Sequence, residues 1–65
     1  MSWDHKKTLE VCAALDLELR RSAAALIEAG APNEFAVKAL EMTRITDTLT
    51  ERTMADLLMN GDNNA

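Results

Sequence analysis

The sequence predicts an all-α fold: an antiparallel two-helix hairpin that pairs with a second copy into a four-helix bundle. Three observations carry this. The stretch Ala29-Gly30-Ala31-Pro32-Asn33 lies near the midpoint and holds the only proline and one of the two glycines. The runs on either side are long, rich in helix formers and free of both residues until Gly61. Each run repeats its apolar residues at alternating spacings of about three and four, the mark of a helix that packs along one stripe. The expected layout is a single domain over residues 1–59. It comprises a helix over about 3–29, a turn at 30–32 and a helix over about 33–59, with a disordered polar tail over 60–65.

The first helix starts with Ser2 as N-cap and Asp4 in the first turn, where the helix dipole favours an acid. Its stripe is His5, Leu9, Cys12, Leu15, Leu19, Ala23, Leu26 and Ile27, with Asp16 as a polar intrusion at the edge. Gly30 falls where a helix wants a left-handed residue after its last turn. Pro32 suits the first position of a new helix, and Asn33 is the alternative cap. The second stripe is Phe35, Ala39, Met42, Ile45, Thr46, Leu49, Thr53 and Leu57, with Leu19 and Leu49 as core residues. Thr43, Thr46, Thr48, Thr50 and Thr53 weaken this helix because β-branching restricts their rotamers. Thr48-Leu49-Thr50-Glu51 also reads as a capping box, so a break near Asp47 is the competing layout.

A chain of 65 residues has little core to bury and needs a disulfide, a metal or a partner chain. A lone cysteine, Cys12, rules out an internal disulfide and a multi-cysteine zinc site, and fits a reducing cytoplasm. Self-association is the remaining route. The polar, charged start does not read as a signal peptide, and no apolar run approaches the ~18 residues of a membrane span. Net charge is −4, split as −1 over residues 1–30 and −3 over 31–65. That balance disfavours DNA, whose binding rests on phosphate contacts.

No cofactor, metal or catalytic group is expected. His5, Cys12 and Asp16 share a side of the helix but lack the close ligand pair of a zinc site. Cys12 fits a core position better than an exposed thiolate. The informative residues are apolar ones outside the stripes: Trp3 and Leu17 on the back of the first helix, and Val37, Leu40, Met54 and Leu58 on the second. They either widen a dimer core or form a docking surface for another protein.

Length, central turn, paired heptad helices and the Asn60-Gly61-Asp62-Asn63 tail resemble the Rop-like plasmid regulators across the whole chain. The resemblance implies a dimer that binds RNA loops through its paired first helices. The matching face here would carry Lys6, Lys7, Arg20 and Arg21. Read from the residues, the expected function is a small cytoplasmic regulator that binds another protein, such as a phage-type antirepressor or inhibitor acting on a transcriptional regulator. Its contact residues would be Trp3, Lys6, Leu17, Arg21, Val37 and Leu40. A Rop-like RNA-binding regulator and a structural dimerisation module are the alternatives.

Overall fold

The computed structural model describes residues 3–60, all in helices apart from short ends and a turn. Helix α1 spans His5–Glu28, α2 spans Asn33–Glu41 and α3 spans Thr43–Asn60. The last two are arms of one gently bent helix. Together they make a hairpin measuring 50 × 17 × 14 Å. Of the expected ends, Ser2 and residues 61–65 lie outside the described stretch.

Asp4, not Ser2, caps α1: its carboxylate accepts from the Lys7 amide at 2.9 Å. The turn is as the sequence predicts. Gly30 sits at φ +80°, its amide donates to Ile27 O at 3.1 Å, and the Ala31 amide donates to Leu26 O at 3.1 Å. These are the two crossed bonds of a Schellman ending, which satisfy carbonyls the helix leaves open. Pro32 takes the N-cap position and Asn33 the first helical one, one residue from the expected placement.

The second helix is interrupted at Met42, not near Asp47. Ile45 N–H reaches only three residues back, to Met42 O at 3.2 Å, while Thr43 Oγ1 donates to Leu40 O at 2.6 Å. A threonine hydroxyl that bonds back to the preceding turn tends to bend a helix. The Thr48 hydroxyl caps nothing; it donates to Arg44 O at 2.8 Å inside α3.

The seam between the helices corrects the expected second stripe. On α1 the buried and half-buried line is His5, Leu9, Cys12, Asp16, Leu19, Ala23 and Leu26. On the facing helix it is Ala36, Ala39, Thr43, Thr46, Thr50, Thr53 and Leu57. Both lines keep an unbroken alternation of three and four. Phe35, Met42, Ile45 and Leu49 are therefore exposed, as are Leu15 and Ile27 on α1. Small side chains let the helices approach closely, and the buried threonines need no partner across the seam. Thr46 Oγ1 donates to Thr43 O at 2.7 Å and Thr53 Oγ1 to Leu49 O at 2.7 Å. Among the described residues no buried side-chain polar atom lacks a partner. A register that buries Thr53 completely and leaves Leu49 40% exposed puts the larger apolar surface outside the hairpin.

Candidate protein-binding surface

Fourteen of the large apolar side chains among the described residues are exposed, four (Leu9, Leu19, Leu26 and Leu57) are half-buried, and none is buried. Heptad geometry sorts the exposed ones. In an antiparallel pair, positions just before the seam on one helix flank the same positions on the other. One flank thus carries Val11 and Leu15 beside Phe35, Met42, Ile45 and Leu49. The other carries Leu17 and Ile27 beside Val37, Leu40, Met54 and Leu58. They are called below the Phe35 flank and the Val37 flank. Such a share of uncovered apolar area is far from the scattered exposure that is ordinary on a monomer.

The charges on the two flanks differ. On the Phe35 flank the ladder of the second helix runs Phe35, Lys38, Met42, Ile45, Leu49, Arg52 and Asp56. Neither Lys38 nor Arg52 forms an ion pair among the described residues. Arg44 and Arg52 line, with Ile45, Thr48 and Leu49, an open hollow of about 430 Å³ on the outer side of α3. The Val37 flank alternates signs, with Glu10, Asp47 and Glu51 among Lys6, Arg20 and Arg44.

A polar clasp joins the chain ends. His5 Nε2 meets Asp56 Oδ2 at 2.5 Å, linking the first turn of α1 to the last turns of α3. Asn60 Nδ2 donates to Asp56 Oδ1 at 2.8 Å. The His5 hydrogen bond, then the Asn60 one, hold the Asp56 carboxyl below the usual carboxylate range. Trp3 stacks on the His5 ring, centroids 4.7 Å apart, and its indole N–H donates to Thr8 Oγ1 at 2.9 Å.

The residues singled out from sequence do not form one patch. Trp3 precedes α1 and covers the clasp, remaining 42% exposed, rather than projecting from the helix back. Lys6 lies at that same end. Val37 and Leu40 lie near the turn, roughly 25 Å further along at ~1.5 Å per residue. Leu17 sits between them, and Arg21 on the outer face of α1. Lys6, Lys7, Arg20 and Arg21 are all exposed, but Arg20 Nε already donates to Asp16 Oδ1 at 2.8 Å. Asp16 is thus a half-buried seam residue tied to its own helix.

Sequence reasoning placed the Phe35 flank in the core. The signal that separates the two is the second perfect heptad line through Ala36, Thr43, Thr50 and Leu57, which competes with Phe35, Met42 and Leu49 one residue away. Cys12 is buried, and among the described residues no cluster of metal-ligating side chains occurs and no helix is long and apolar enough to cross a membrane. No protein-family model matches the chain, nor does any curated protein or solved structure.

Proposed function

We propose that this protein is a small regulator that works by binding another protein, as an antirepressor or inhibitor that sequesters its target. In the same reading its hairpin also pairs with a second copy in a four-helix bundle. The observation that supports it is the fourteen exposed large apolar side chains among the described residues, twelve of them arranged in two helical flanks rather than around a pocket. Apolar stripes at heptad spacing are a surface that other helices fit. A hairpin whose fully buried seam residues are alanine, threonine and cysteine leaves Leu15, Leu17, Leu40, Leu49, Leu58, its phenylalanine and its described methionines exposed for such contacts.

The test is capture of host proteins by tagged protein, with and without nuclease. Wild type is compared with a variant whose Lys6, Lys7, Arg20 and Arg21 are changed to Gln, and with Leu40→Asp. Protein capture that survives nuclease and the glutamine changes but is lost in Leu40→Asp or in an equivalent Phe35-flank variant supports the reading. Capture that depends on the four basic residues and disappears with nuclease would assign the protein to RNA instead.

A further inference from the structure

Resting on the reading that the chain works by protein binding, we propose that the Phe35 flank is the site that takes the partner. Its occupant is an acidic amphipathic helix. Three observations specify that chemistry. First, Phe35, Met42, Ile45 and Leu49 are each at least 40% exposed and stand on one ladder of the second helix. A stripe at spacings of three and four fits an α-helix lying nearly parallel to it, with its own apolar residues at the same spacing.

Second, the polar members of that ladder are Lys38, Arg52 and Asp56, and the two cations stand one near each end of the stripe. Both are free of ion pairs among the described residues. Arg44 is unpaired as well and shares the hollow over Ile45 and Leu49 with Arg52. Lys38 and Arg52 thus bracket this stripe, and Arg44 stands on the rim it shares with the Val37 flank, in a chain whose net charge is −4. Asp56, the acid one turn beyond Arg52, is held by His5 and Asn60, and Glu34 and Glu41, one turn to either side of Lys38, form no ion pair with it among the described residues. Apolar residues in the middle with carboxylates toward both ends is the complementary pattern.

Third, a second copy fits this flank poorly. It would bring its own Lys38 and Arg52 to the same stripe, with Glu18 as the one acid without an ion pair on that side among the described residues. The Val37 flank, with signs balanced, suits a second copy better. A compact protein of 7.1 kDa exposes roughly 4,100 Å², whereas this chain exposes 5260 Å². The excess is of the order of the ~800 Å² each partner gives to one standard interface.

The test uses the full chain and dye-labelled synthetic helical peptides with leucines at heptad spacing. One peptide carries glutamates beside the stripe, one lysines, and one is a scramble of the acidic peptide. Fluorescence anisotropy should show the acidic peptide binding and the other two not, with affinity falling as salt rises. Ile45→Asp should weaken binding about thirtyfold or more. Lys38→Glu with Arg52→Glu should weaken it about tenfold and raise affinity for the lysine peptide. Val37→Asp, on the opposite flank, should leave it unchanged. Circular dichroism checks that each variant keeps its helicity, and Ile45→Ala, milder at an exposed site, serves where Ile45→Asp does not fold. Equal binding of acidic and basic peptides, or none, overturns the proposal. So does sedimentation showing that Ile45→Asp dissociates a homo-oligomer, since a second copy would then own the flank. If wild-type protein still captures a host protein that Ile45→Asp and the double charge reversal do not affect, the protein-binding reading stands and this assignment of its site falls.

Discussion

Thr53 is wholly buried while the larger Met54 beside it is 49% exposed. At this residue scale the seam has no room for a larger side chain. Thr53→Leu and Ala36→Leu should each destabilise the fold by about 1–3 kcal/mol in urea unfolding, as overpacked cores do. Phe35→Leu, one residue from the seam, should change it by less than about 1 kcal/mol. Equal effects at Ala36 and Phe35 would show that the seam runs elsewhere. Asp56 gives a second prediction at this scale. Its folded pKa lies below its unfolded value, so ionised Asp56 contributes stability above the unfolded value of 3.8, and the contribution is lost as pH falls through the folded pKa. Wild type should therefore lose more of its melting temperature than Asp56→Asn between pH 5 and pH 3. Parallel curves for the two proteins would remove the clasp from the stability of the hairpin.

Element-scale structure was legible wherever a single residue type has one physical use. Gly30 was readable because a left-handed residue after a helix is nearly always glycine. Its φ of +80° is the strain any side chain would meet there, although a Cβ would touch nothing within 4 Å. Gly30→Ala should thus cost about 1–2 kcal/mol by conformation alone. Gly30→Asn should cost less, because asparagine tolerates that region; a neutral Gly30→Ala would mean the turn adopts another shape. The bend at Met42 was less legible. Five threonines signalled a weak helix, but four of them, Thr43, Thr46, Thr48 and Thr53, turn their hydroxyls back on the preceding turn, and the interruption falls only beside Thr43. The register of the second helix was misread for a related reason. Hydrophobicity ranks Phe35, Met42 and Leu49 above Ala36, Thr43 and Thr50, yet a two-helix seam rewards small residues that bring backbones together. The flank proposed to bind was therefore hidden inside the stripe expected to be core. The heptad spacing itself, and so the hairpin, was right.

For the whole molecule the question is what holds so thin a structure together. Among the described residues Cys12, Ala23, Ala36 and three threonines are buried, and a seam of this kind removes little apolar area from water. A lone 65-residue hairpin should open often, and pairing of its flanks should suppress the opening by mass action. Cys12 provides the reporter: it is the only thiol, it lies mid-seam and it is 4% exposed, so reagent reaches it only when the helices part. Reaction with an aromatic disulfide, followed by absorbance at protein concentrations from about 1 to 100 μM, should slow as concentration rises if self-association closes the hairpin. The slowing should appear at low reagent, where the open fraction sets the rate, and vanish in 6 M guanidinium, where the thiol is always reachable. Val37→Asp should remove the concentration dependence if the charge-balanced flank holds the second copy, and Ile45→Asp should preserve it. A rate for wild type that is slow and independent of concentration over this range would mean the hairpin is stable as a monomer. Its exposed flanks would then both be free for other proteins.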